Sequence, residues 1–143
     1  MDTYSAFEIS AAGMNAERMR LDVSAMNLAN ANTTRGPDGT LFKPLQVVAR
    51  PGAPFAATLE GVRGMVTPPP QLEVQPLDLP PREVFEPGHP DADAQGFVAY
   101  PAVNPVSEMI HLIEITRAYE ANVRALNAAK AMALKALEIG GDR

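Results

Sequence analysis

Cysteine and tryptophan are absent from the 143 residues. Without cysteine there are no disulfides, no thiolate chemistry and no cysteine-based zinc sites. The redox compartment stays open, because a cysteine-free chain is indifferent to it. Only two histidines occur, so the means for general acid–base catalysis are thin. There is no phosphate-binding glycine loop, no G-x-G-x-x-G, and no serine in a G-x-S-x-G context. No apolar run reaches the roughly 18 residues that a membrane span needs. The opening residues MDTYSAFEISAAGM have neither a basic nor a hydrophobic region of the signal-peptide kind, so a cleaved secretory signal is not expected. On these features the chain is cytosolic, or leaves the cytosol by a route that reads no such signal. The formal net charge of −5 gives a nucleic-acid partner little electrostatic help.

Proline is missing from the first 36 residues and the last 38; all 14 prolines lie between Pro37 and Pro105. Proline removes a backbone donor and clashes within helices, so both ends are free to be long helices and the middle is not. The excess acidity also sits in the middle: residues 37–105 carry four basic and eight acidic side chains, against three and four in 1–36 and five of each in 106–143. Near-neutral, apolar-rich ends suit packing against other protein.

At the N-terminal end, Ser5-Ala-Phe-Glu8 fits a capping box. Apolar residues then recur at Phe7, Ala11, Met14, Leu21, Ala25 and Leu28, with Arg18 the one polar member of the series. Alternating steps of four and three are the seam of a coiled-coil-like contact. Asn30 and Asn32 suit a left-handed C-terminal cap, and Arg35-Gly-Pro-Asp-Gly39 suits a turn. The expected helix covers about 5–31. At the other end, Asn104-Pro105 places a capping residue before proline at the first helical position. Met109, Leu112, Thr116, Tyr119, Val123, Leu126, Lys130, Ala133 and Leu137 follow in steps of three and four, up to Gly140-Gly141. The expected helix covers about 105–139. Between them, Leu45–Arg50, Gly61–Val66 and Gln71–Gln75 are strand candidates, and Glu83–Glu86 with Gly96–Tyr100 flank a turn at Pro87–Asp93. Thr67-Pro-Pro-Pro70 and Leu79-Pro-Pro81 favour extended polyproline geometry. No internal repeat occurs. The fold class expected is mainly α, with the two terminal helices paired as a coiled-coil-like hairpin and a proline-rich, partly β, irregular middle. The division is 1–33, 34–104 and 105–143, with the two helical parts forming one domain.

A second apolar set lies off these stripes: Val23 and Met26 near one, Val106, Ile110, Ile113 and Leu134 near the other. One two-helix contact cannot bury both sets, and an isolated helix pair of this kind is marginal in water. The sequence therefore predicts assembly into something larger.

Two clusters invite a metal reading. His89-Pro-Asp91-Ala-Asp93 gathers one imidazole and two carboxylates but lacks a fourth ligand; a polar turn is the simpler account. Glu108-x-x-His111 has the spacing of di-iron bundles, which need two copies and two further glutamates; only one copy is present, and a solvated helix face suffices. The stretch Asn27-Leu-Ala-Asn-Ala-Asn-Thr33 is unusual, since asparagine is a mediocre helix former. Asn27 and Asn30 share a helix face. Capping is one account. The other is that their amides bond a neighbouring chain and fix register, as buried asparagine does in coiled coils.

The stretch Arg20-Leu-Asp-Val-Ser-Ala-Met-Asn-Leu-Ala-Asn-Ala-Asn-Thr33 resembles the N-terminal signature of the flagellar rod and hook axial proteins, whose centre reads Asn-Leu-Ala-Asn. Glu108-Met-Ile through Tyr119-Glu-Ala-Asn-Val123 to Lys135-Ala-Leu-Glu-Ile-Gly140 resembles their C-terminal signature. Glu86-Pro-Gly-His-Pro-Asp-Ala-Asp93 with Gly96-Phe-Val-Ala-Tyr-Pro101 is similar to the segment that marks the proximal-rod type. Short length fits that type, because hook and distal-rod types carry larger central domains. The resemblance covers about 20–33 and 84–140 and is weak over 44–83. Met26 departs from it, since a small or polar residue is usual before Asn27.

The resemblance implies a non-enzymatic structural subunit without cofactor, catalytic residue or metal. Its terminal helices would line the inner layer of a hollow drive shaft that transmits torque and passes later subunits. It implies export by the flagellar type III apparatus, a place in the periplasmic rod of the basal body, and as partners copies of itself, other rod proteins, the inner-membrane ring or rod adaptor and the export gate. It implies neither nucleic acid nor small-molecule substrate. The residues expected to pack between subunits are Leu21, Asn27, Leu28, Asn30, Met109, Leu112, Tyr119, Asn122, Val123, Leu126 and Leu137. Another axial rod subunit, or a generic helical coiled-coil adaptor, are the competing expectations.

Overall fold

A computed structural model describes residues 3–50 and 70–141. The order of elements is α1 (Thr3–Asn30), β1 (Leu45–Arg50), β2 (Gln71–Pro76), β3 (Arg82–Phe85), β4 (Phe97–Tyr100) and α2 (Pro105–Gly141). The strand expected at Gly61–Val66 lies outside the described residues. None of the described helices is long and apolar enough to cross a membrane.

The proline-free ends are helical as the sequence predicts, but three of the expected terminus signals differ. α1 already begins at Thr3, so Ser5 lies inside the helix rather than capping it. The end of α1 has no left-handed asparagine; among the described residues only Gly39 and Gly96 have positive φ. Tight turns close it instead, with Ala31 N–H donating to Leu28 O and Thr33 N–H to Asn30 O. The Asn30 side chain adds a bond to the Met26 carbonyl at 2.9 Å. Asparagine's short amide competes for nearby backbone groups, which makes the left-handed conformation unnecessary here. Finally, α2 runs through Gly140 and Gly141 instead of stopping before them. Glycine lowers helix propensity but does not by itself end a helix. The start of α2 is as expected: Asn104 Oδ1 accepts from Val106 N–H at 3.0 Å and Ser107 N–H at 3.4 Å.

The chain divides into two compact units. In the first (1–19, 49–73 and 114–143), the buried side chains include Ser10, Ile115 and Ala129. In the second (20–48 and 74–113), Val23, Ala31, Pro44, Val98, Pro101 and Val103 are buried. β1 pairs with β2, and β3 with β4, in separate two-stranded sheets. Two-stranded sheets are marginal in water unless something packs on them; Val98 of β4, fully buried, supplies such an anchor.

β3 and β4 form an antiparallel hairpin in the register Arg82 to Tyr100 and Phe85 to Phe97. Its loop is held by its own polar groups. Asp93 Oδ1 accepts from Gln95 N–H and Phe97 N–H, each at 2.8 Å, and Glu86 N–H donates to Gly96 O. Gly96 has φ +87°, and a Cβ there would meet Phe85 at 3.0 Å and Pro87 at 3.2 Å. Both the backbone and the space demand glycine at this place. The loop is fastened to the chain after α1: Asp91 accepts from Thr34 Oγ1 at 2.8 Å and pairs with Arg35 at 2.6 Å.

Candidate functional site: the helix seam and the Asn27 node

The face that α1 buries differs from the one its apolar pattern suggests. Ser10, Gly13, Glu17, Ser24, Asn27 and Ala31 are buried or half-buried, and Arg20 fills the remaining step. They recur in alternating steps of three and four, a heptad stripe of small and polar residues. The expected apolar stripe lies one residue further along, about 100° round the helix. Leu21 and Ala25 on it are exposed, and Met14 and Leu28 are half-buried. Reading the seam from the largest apolar side chains fails because close backbone approach favours the smallest ones. In the first unit Gly13 shows this: a Cβ on it would lie 2.8 Å from Asn122 Nδ2 and 3.1 Å from Asn122 Cγ.

On α2, Leu112, Leu126 and Ala133 of the expected stripe are half-buried. At the alternate steps, the buried or half-buried residues include Glu108, Ile115, Asn122 and Ala129; Met109, Thr116 and Lys130, read in the seam, are exposed. Val123 is half-buried, Tyr119 is partly exposed, and Leu137 is 71% exposed. Val106, Met109, Ile110, Ile113 and Leu134 all present much of their surface to solvent, as do Leu21 and Met26 on α1.

In the second unit, Asn27 is the polar centre. It is 4% exposed. Its Nδ2 donates to the Leu45 carbonyl at 2.9 Å, and Leu45 N–H donates back to Asn27 Oδ1 at 2.8 Å. The amide thus satisfies both backbone groups of the first β1 residue, as a partner strand would. Nδ2 also reaches Glu108 Oε1 on α2 at 3.4 Å. The amides of Asn27 and Asn30, expected to reach a neighbouring chain, are therefore engaged within this one. Asn30 bonds Met26 O and accepts from Thr33 Oγ1 at 3.3 Å. A buried amide is costly unless paired, and Leu45, 18 residues away, is a partner that the sequence pattern does not signal.

The two clusters weighed as metal sites have other partners. His89 Nδ1 accepts from Asp91 N–H at 3.1 Å, and the Asp91 and Asp93 carboxylates take the hydroxyl, guanidinium and backbone donors already described. Glu108 Oε2 lies 3.8 Å from His111 Nδ1. Among the described residues no three metal-ligating side chains come together. Leu45 and Gly13 are contact positions that the sequence reading did not single out. The only sequence signal for Gly13 was a glycine in the middle of a proline-free helix, a choice that costs stability unless close approach requires it.

Comparison with known proteins fits this architecture. Residues 7–37 match the family described as flagella basal body rod protein, and residues 94–139 match the flagellar basal body rod FlgEFG protein C-terminal family. The chain is 39% identical over 140 residues to the flagellar basal-body rod protein FlgC of Escherichia coli O6:H1, covering 98% of this chain and 99% of that protein. It is 40% identical over 140 residues to FlgC of Salmonella typhimurium, with the same coverage. It is 36% identical over 151 residues to FlgC of Bacillus subtilis, again 98% and 99% covered. These relatives are structural rod proteins and not enzymes. The full-length match, with both helical ends and the hairpin segment inside it, shows that the chain belongs to the FlgC family of flagellar basal-body rod proteins.

Proposed function

We propose that this chain is a structural subunit of the proximal part of the flagellar rod and polymerises through its terminal helices. The reading rests on one observation above all. Beside Val23 and Ile115, the helices bury mostly small and polar residues, and they leave many larger aliphatic side chains exposed, among them Leu21, Val106, Met109, Ile110, Ile113 and Leu137. Exposed apolar stripes of this length mark surfaces for other protein, and copies of this chain and other rod proteins are the partners that family membership suggests. In this reading segments 1–33 and 105–143 act as one axial hairpin, and 34–104 is an arm outside it. Within the first unit Gly13 of α1 lies close to Asn122 of α2, and within the second Asn27 of α1 meets Glu108 of α2.

Leu21, Met109, Tyr119 and Leu137 would meet neighbouring subunits. Leu28, Leu112, Asn122, Val123 and Leu126 would serve the pairing itself, and Asn27 and Asn30 would hold the subunit's own shape. The assembled shaft would be hollow, would transmit torque through closely packed helices, and would pass later subunits. It would stand in the periplasm between the inner-membrane ring and the distal rod, reached through the flagellar export gate without a cleaved signal.

The experiment is electron microscopy of basal bodies from a strain lacking the gene, complemented with the full chain or with the chain truncated after Asn104. The reading expects no hooks or filaments in the deletion, and recovery only with the full chain. Normal rotating flagella in the deletion strain, with no paralogous copy present, would overturn it.

A further inference from the structure

Cysteine and tryptophan are absent, so the seven methionine thioethers are the side chains most open to two-electron oxidants. Met14 and Met19 on α1 are half-buried, whereas Met26, Met109 and Met132 are each at least half exposed. The exposed thioethers are the ones an oxidant in water reaches first. Met109 differs from the other two in its helix neighbours. At steps of four residues Met26 lies between Asp22 and Asn30, and Met132 between Ala128 and Ala136. Met109 instead shares one face of α2 with Val106, Ile110 and Ile113, and all four side chains are exposed. Valine and isoleucine are saturated hydrocarbon and inert to peroxide. Met109 is therefore the one member of that stripe whose polarity a mild oxidant can change.

We propose that Met109 is a redox-sensitive modification site that controls docking on the Val106–Ile113 stripe, with hydrogen peroxide as the oxidant. The sulfur lone pair attacks one peroxide oxygen. The O–O bond breaks, an S–O bond forms, and the second oxygen leaves as water after a proton shift. The thioether is oxidised by two electrons and the peroxide is reduced by two. The sulfoxide is polar and a strong acceptor, so it sets an unpaired oxygen in the middle of an apolar face. Covering that face with another protein then requires desolvating the oxygen. A thiol-dependent sulfoxide reductase reverses the step, the thiols being oxidised to a disulfide as the oxygen leaves as water. Because Met109 is exposed in the free chain, oxidation leaves the fold as it is. The effect on docking rests on the stripe being a subunit surface; the order in which the methionines oxidise does not.

The first test is peptide mass mapping of the full chain after brief exposure to hydrogen peroxide. Met109 should oxidise at least about 3-fold faster than Met14 and Met19. Equal rates would overturn the site, whatever the chain assembles into. The second test uses a strain lacking the gene. Met109→Gln imitates the polar sulfoxide, and Met109→Leu stays apolar and cannot be oxidised; both residues suit a helix as well as methionine does. Met109→Leu should restore swimming, and Met109→Gln should give less than about half the wild-type spread in soft agar, with an unchanged urea midpoint for the purified chain. After a peroxide pulse, cells carrying Met109→Leu should resume swimming sooner than cells carrying the unaltered chain. Full motility with Met109→Gln, a lowered urea midpoint in that variant, or equal delay after the pulse would each overturn the switch. A deletion strain that swims without any copy would instead remove the rod reading on which the docking effect rests.

Discussion

Single atoms decide much at the Asn27 node. The Asn27 amide donates to the Leu45 carbonyl and accepts from its N–H at once, whereas a carboxylate can only accept. Asn27→Asp keeps the size, loses the donor, and sets a carboxylate against both the Leu45 carbonyl and Glu108. We expect it to cost about 1–3 kcal/mol of stability, measured by urea unfolding, with Leu45 losing amide protection. A loss no larger than that of a surface substitution would show that the amide is dispensable. Gly13 poses a contest between two effects. Alanine should gain about 1 kcal/mol of helix propensity, but its Cβ would sit within 3.1 Å of three Asn122 side-chain atoms. We expect the contact to win, so that Gly13→Ala lowers stability while Gly13→Ala with Asn122→Ala recovers it, with a coupling of at least about 0.5 kcal/mol. Tyr100 offers a third check. Its hydroxyl donates to Glu86 Oε2 at 3.0 Å, and that bond, with desolvation added and Arg82 opposing, holds the phenol above its ordinary range. A raised group stabilises the fold below its unfolded value and stops doing so as pH climbs through the raised one. In an NMR titration Glu86→Gln should return Tyr100 to a lower midpoint.

Elements are held together by a few long-range fasteners. The β3–β4 loop is tied to the residues after α1 by Asp91, through Thr34 and Arg35. Asp91→Ala should leave the helices intact and raise amide exchange across 86–96; unchanged exchange there would mean that the loop's internal bonds suffice. The same contacts mark how far the sequence could be read. Proline placement located both helices, and Asn104-Pro105 located the start of α2 to the residue, because capping is local chemistry. The hairpin was legible for the same reason, since Asp93 acts on backbone groups two and four residues away. The seams were read one position off on α1 and at every other step on α2. Periodicity reports where apolar side chains recur, and it does not report which of two adjacent stripes a second helix approaches. Small residues such as Gly13, Ser24 and Ala129 carry almost no hydropathy signal, yet they set the distance of approach. Asp91 to Arg35 and Asn27 to Leu45 join residues far apart in sequence, and no local pattern announces them.

For the whole molecule, the exposed stripes separate stability from assembly. A charge placed at Val106 or Ile113 falls on a surface already in water, so Val106→Glu and Ile113→Glu should shift the stability of the free chain by only about 0.5 kcal/mol. In a motility assay the same variants should fail to complement a deletion strain. Full complementation by both would place the subunit contacts elsewhere. A last consequence concerns the turn after α1. Gly36 N–H donates to Thr40 O at 2.9 Å, and Gly39, at φ +73° with open space around it, bends the chain back. The Pro37–Gly39 tip is thus clamped at its base and unencumbered at its apex. A short epitope or dye-binding peptide inserted after Asp38 would lengthen only the apex, which makes this turn the natural handle for attaching a visible marker to the chain in living cells.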